Sequence, residues 1–149
     1  MGNKIFVAYS REDKKSINQL PRTLGVEHTF RNSDEVYRIF SSNSNISEQM
    51  KKVIEENVKW SDIVVVLVGK DTAQVKWIDW CVEKAGMLGK RVVFIYLEEA
   101  GSLPDSGGIF GSAAVGMDKA AEAVNGAVPI WDDPTGAPLP NDSIHRSSC

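Results

Sequence analysis

The sequence predicts an α/β fold, an open sheet of five parallel strands with helices on both faces. Three observations predict it. Ile63–Val68 is an unbroken aliphatic run, and Val92–Leu97 is nearly as apolar. A strand with one wet face alternates apolar and polar residues, so unbroken β-branched runs belong to strands covered on both sides, as in a parallel sheet. Between the two runs Trp77, Cys81, Ala85 and Leu88 recur at helical spacing, and Gly89 stands where a helix-ending glycine belongs. Residues 61–97 therefore form a βαβ unit, placed at the centre of the sheet.

The other elements follow in chain order. Lys4–Ser10 is the first strand, and Arg11–Leu20 a helix with apolar Ile17, Leu20 and Leu24 and with Ser10 as its N-cap. Pro21 removes a backbone donor and ends or kinks that helix. After Gly25, Val26–Arg31 reads as a weaker strand near the sheet edge, with His28 and Phe30 on one side. Asn32–Asn45 is a polar loop in which Val36, Tyr37, Ile39 and Phe40 form one short helical turn. Ile46–Trp60 is an amphipathic helix, with Ile46, Met50, Val53, Ile54 and Asn57 on one face. Beyond Leu97, the glycines and proline of Glu98–Gly116 read as a long loop. Met117–Asn125 is a short helix, Ala127–Trp131 the last strand, and 132–149 an irregular tail. Right-handed crossovers between such elements give the strand order 2-1-3-4-5, a flavodoxin-like three-layer sandwich over residues 1–131.

Composition narrows the function. A chain of 149 residues, 42% hydrophobic and 25% charged, buries a full core and forms one domain. The net charge is -3 and the lysines are scattered among carboxylates, so no nucleic-acid footprint is expected. No apolar stretch approaches a membrane span, and the start MGNKIF lacks the apolar core of a signal peptide. A cytoplasmic protein is expected, with neither a nucleic acid nor a membrane as partner. Cys81 and Cys149 make neither a disulfide framework nor a metal site.

In such folds ligands sit beyond the carboxyl ends of the strands. Here that edge comprises Tyr9–Glu12, the loop after Arg31, and 69–76. A receiver domain needs an acidic pair after the first strand and an aspartate closing the third; this chain has Ser10 and Arg11, and Gly69. A flavodoxin needs a phosphate-wrapping loop after the first strand, whereas SREDKKS is highly charged and lacks glycine. No glycine-rich dinucleotide or P-loop pattern follows a strand.

The segment FVAYSREDKK at 6–15 resembles the first box of Toll/interleukin-1 receptor (TIR) domains, and SDIVVVLVG at 61–69 is similar to their central strand. VLVGKDTAQVKWI, followed by a helix and then GKRVVFIYL, resembles more narrowly the prokaryotic TIR-like branch that includes the Thoeris ThsB proteins. The resemblance implies one of two roles. One is an enzyme of antiphage defence that cleaves NAD+ to nicotinamide and an ADP-ribose-type signal. The other is a catalytically inactive module acting by nucleotide binding or self-association. It implies no cofactor, with NAD+ as substrate. A nucleotide ligand, a second copy of the chain and a downstream effector protein are its implied partners.

In the enzymes of this family a W-x-x-x-E helix supplies a glutamate that steadies the oxocarbenium-like transition state. Aligning Trp77 with that tryptophan places Cys81 where the glutamate should be. Glu83 is a candidate substitute, but two residues along a helix are turned by about 200°, so its plain reading is a solvated charge beside Asp79 and Lys84. Cys81 reads either as a nucleophile or as a small buried apolar residue. Trp77 and Cys81 are expected to look out over one mouth at the sheet's rim, with no acidic group beside them. The expected ligand-binding residues there are Tyr9, Ser10, Arg11, Arg31, Asp34, Gly69 and Trp77. For each a plainer structural role stands beside the functional one: capping for Ser10, an exposed charge for Arg11, core packing for Trp77.

Overall fold

The computed structural model describes residues 2–39, 46–97, 102–104, 106–126, 130–135 and 137–138, with backbone alone at Arg11, Glu12, Glu35, Arg38, Ile39, Gly108 and Ile109. Its sheet holds five strands: β1 (Lys4–Ala8), β2 (Thr29–Asn32), β3 (Ile63–Val68), β4 (Arg91–Tyr96) and β5 (Ala113–Gly116). All pairings are parallel and the order is β2-β1-β3-β4-β5. The chain is thus the predicted doubly wound α/β fold.

The unbroken apolar strands are explained by two cores, one on each side. Ile63, Val65 and Leu67 join Ile5, Val7 and Tyr9 of the β1 segment in one core, under Leu20, Leu24 and the alanines of the last helix. Val64, Val66 and Val68 join Phe6, Ala8 and Phe94 in the other, under Met50, Ile54, Val58, Trp77, Ile78 and Cys81. Every residue of β3 is buried, and each side chain removed from water contributes about 1.5–3 kcal/mol. Burial on both faces therefore fixes β3 at the centre.

The helices are α1 (Leu20–Leu24), α2 (Asp34–Ile39), α3 (Glu48–Trp60), α4 (Lys76–Met87), α5 (Gly107–Phe110) and α6 (Ala120–Asn125). α3 begins on Ser47, whose hydroxyl accepts the Met50 N–H at 3.1 Å. α4 ends at Gly89, whose φ of 73° is left-handed backbone that suits glycine. Among the described residues, no helix is long and apolar enough to cross a membrane.

Four expectations are corrected. Arg11–Gln19 winds as a 3₁₀ helix, and Pro21 falls in the first turn of the α-helix that follows, where its missing N–H leaves nothing unpaired. Proline starts the α-helical turn rather than breaking it. β2 begins at Thr29 instead of Val26, because Gly25 (φ 125°) opens a turn closed by the His28 N–H on the Gly25 carbonyl at 3.3 Å. The expected loop after β4 contains α5 and the true fifth strand, 113–116. Of the expected last strand, 127–129 lie outside the described residues, and Trp131 makes a single parallel bridge to Ala114. The small residues of AAVG hid a strand that is packed between β4 and this return.

Candidate functional site

The carboxyl edge is built where β1 and β3 end. Ser10 has the extended backbone of an N-cap but does not cap with its side chain. Its hydroxyl instead donates to the Asp13 carboxylate at 2.9 Å, and both residues are almost fully buried. Asp13 in turn lies on Gly69, the first residue after β3: a β-carbon there would stand 2.4 Å from each carboxylate oxygen. The turn beyond is held by Thr72, whose hydroxyl accepts the Gly69 N–H at 2.8 Å and donates to the Leu67 carbonyl at 3.1 Å.

A second layer comes from the end of β2 and the start of α2. The Ser33 hydroxyl accepts the Tyr9 N–H at 3.3 Å, and Asn32 Oδ1 accepts the Asp34 N–H at 2.9 Å. The Tyr9 hydroxyl donates to Asp34, whose carboxylate also lies 3.8 Å from Lys14 Nζ. The Tyr37 hydroxyl donates to the Tyr9 carbonyl at 2.5 Å. The rings of Tyr9, Tyr37 and Trp77 touch in turn, the first pair tilted by 49° with centroids 5.5 Å apart and the second edge to face at 79° with centroids 5.6 Å apart. Among the described residues the Trp77 indole N–H has no hydrogen-bond partner, although Trp77 is only 1% exposed. A buried donor left unpaired costs about 1–3 kcal/mol.

The structure brings Tyr9, Ser10, Asp34, Gly69 and Trp77 to this edge. The Arg11 side chain lies outside the described residues. Arg31 does not join them; its guanidinium stacks 4.2 Å from the centre of the Trp60 ring, and Trp60 precedes β3 at the opposite, amino end of the sheet. Trp77 and Cys81 do share one helix face, as their spacing predicts. That face does not open on a mouth: Cys81 is fully buried in the core with Trp77, and burial pushes its thiol from 9.0 up to about 12. Glu83 is exposed, on the side of α4 turned away from the core. Acidic groups stand at the rim: Asp34, as expected among the ligand-edge residues, and Asp13, which was not. Sequence reasoning missed Asp13, Ser33, Tyr37 and Thr72. Asp13 carried a signal in its position three residues after Ser10, the spacing at which side chains of a helix start reach one another. Among the described residues, no cluster of histidine, cysteine and carboxylate side chains fits a metal ion.

The sheet is flavodoxin-like in order, with FVAYSREDKK running through and beyond β1 and SDIVVVLVG through the central β3, and its family model makes it a TIR-like domain. The chain belongs to the family described as Thoeris protein ThsB, TIR-like domain, whose model matches residues 6–102. Among solved structures it is similar to a conserved protein from Enterococcus faecalis V583, with 24% identity, a TM-score of 0.45 and 64% of each chain covered. No curated protein matches it.

Proposed function

We propose that this chain is a TIR-like protein of Thoeris antiphage defence that binds NAD+ or an ADP-ribose-type nucleotide at the carboxyl edge of its sheet, without cleaving it. Family membership supports the defence role. The observation that carries the binding role is the Asp34 carboxylate at the ends of β1 and β2, held by the buried Tyr9 hydroxyl and with 36% of its side chain exposed beside Lys14. Ribose hydroxyls donate to such carboxylates. Binding is favoured over cleavage because a neutral, buried thiol at 81 offers no charge to a developing oxocarbenium ion. The bound state then acts in the cytoplasm through a second copy of the chain or a downstream effector protein.

Calorimetric titration with ADP-ribose and NAD+ tests this. Wild type should bind at least one of them, and Asp34→Ala should weaken that binding about tenfold or more. Absence of binding to both at millimolar concentration overturns the reading.

A second reading, cleavage of NAD+ at the nicotinamide ribosidic bond, is favoured by the two carboxylates at the rim, Asp13 and Asp34. Chromatography of an incubation with NAD+ decides between them. Nicotinamide release by wild type that is lost in Asp34→Asn establishes cleavage.

A further inference from the structure

We propose that Lys14 is the phosphate-binding residue of the edge site, so that Asp34 and Lys14 together read a phosphorylated ribose. This rests on the nucleotide-binding reading and names the part of the nucleotide that is recognised.

The two side chains come from different elements. The stretch Arg11–Gln19 is a 3₁₀ helix, in which successive side chains are turned by about 120°. Asp13 is turned inward, against Ser10 and Gly69. Lys14 is turned instead toward the start of α2, where its Nζ lies 3.8 Å from Asp34 Oδ1. That distance joins two charges without a hydrogen bond. Lys59 and Lys119 show the tighter alternative, each with Nζ 3.0 Å from its carboxylate partner. The Lys14 ammonium therefore keeps its donors, and among the described residues no acceptor takes one. Its side chain is 69% exposed, and a pair this open contributes little to stability, so folding does not account for it.

Asp34 is engaged on one side. The Tyr9 hydroxyl and Lys14 both approach Oδ1, and among the described residues Oδ2 accepts no hydrogen bond. An open carboxylate oxygen suits the neighbouring hydroxyls of a ribose, which donate to it. The same carboxylate repels the phosphate carried by that sugar. Lys14 resolves the conflict: its ammonium offsets the carboxylate charge and offers charge-assisted donors to the phosphate beside it. The recognised unit is then sugar plus phosphate, common to AMP, ADP-ribose and NAD+, and an unphosphorylated nucleoside is a poor ligand.

The test is calorimetric titration of the full chain with AMP, adenosine and inorganic pyrophosphate, followed by ADP-ribose and NAD+. Wild type should bind AMP at least about tenfold more tightly than adenosine. Pyrophosphate bound as tightly as AMP would mark a plain anion site and overturn the proposal. Lys14→Met keeps the stem and loses the charge, at a position outside the core where folding is not at risk. It should weaken AMP about tenfold and leave adenosine within about twofold, and Lys14→Arg should recover AMP binding to within about threefold. Undiminished affinity of Lys14→Met for AMP, ADP-ribose and NAD+ overturns the phosphate role and leaves the nucleotide reading standing. A lysine that only offsets the Asp34 charge is told apart in an Asp34→Asn background. There Lys14→Met should still weaken AMP by about threefold or more; no loss there overturns the phosphate contact. If wild type binds none of AMP, ADP-ribose and NAD+, this proposal and the nucleotide reading fail together.

Discussion

The Asp13 carboxylate rests on the α-carbon of Gly69, leaving no room for a side chain there. This contact ties the helical start after β1 to the turn after β3, across the switch point of the sheet. Gly69→Ala must therefore displace Asp13 and break its bond to Ser10. We expect a loss of about 1–3 kcal/mol in urea unfolding. In an Asp13→Ala background the same change should cost clearly less, since the obstructing group is gone. Strict additivity of the two costs would show that Asp13 is not what excludes the methyl group.

Cys81 gives the fold a defined alkaline limit. Its thiol is neutral in the folded protein up to about pH 12, whereas in the unfolded chain it ionises near its ordinary value of 9.0. The unfolded state thus releases a proton first, and stability present below pH 9 falls as pH rises toward 12, by up to about 1.4 kcal/mol per pH unit. Tyr96, also pushed up to about 12, chiefly by burial, acts with the same sign. Unfolding free energies measured across this range should flatten in Cys81→Ala. An unchanged slope in that variant sinks the assignment.

Restoring the family's glutamate at position 81 should not restore chemistry. Cys81→Glu puts a carboxyl group where no solvent reaches, at a cost of about 3 kcal/mol or more. A sharply lowered melting temperature and no nicotinamide release are expected. A stable Cys81→Glu that releases nicotinamide would show that position 81 opens onto the rim after all.

Glu83→Gln should leave stability within about 0.5 kcal/mol, because the side chain is exposed. It should also leave affinity for ADP-ribose unchanged. Loss of binding in this variant alone would place Glu83 at the ligand.

His28 fastens three parts of the chain. Its Nδ1 accepts the Asn3 N–H at 2.9 Å, and Nε2 faces Asn125 Oδ1 at 3.1 Å, joining the segment before β1 to the end of α6. His28→Ala should cost about 2–3 kcal/mol and speed amide exchange at Asn3. Unaltered protection at Asn3 would remove this role.

The centre of the fold was plain in the sequence because burial on both faces writes itself as uninterrupted Ile and Val, and β3 matched to the residue. β5 was not, because Ala113, Ala114 and Gly116 carry no β-branched signal, and its position depends on contacts with β4 and Trp131 that are distant in sequence. Half of the candidate site was legible for a similar reason. Tyr9, Ser10 and Gly69 lie at strand ends that the apolar runs locate. Tyr37 and Ser33 lie in a polar stretch where only the folded chain shows which side chains turn back on β1. Trp77 and Cys81 were correctly set on one face of α4, but periodicity gives a face and not its direction, and the packing of α4 against the sheet turned it inward.

The return of the chain along Ala114, where the Ala114 N–H meets the Ile130 carbonyl and the Asp132 N–H meets the Ala114 carbonyl, closes the outer margin of β5. An uncovered margin is a template for further strands. A version shortened after Gly126 would lay those groups bare and recruit neighbours into mixed sheets, so the segment 130–132 serves as a guard against aggregation as much as a part of the domain.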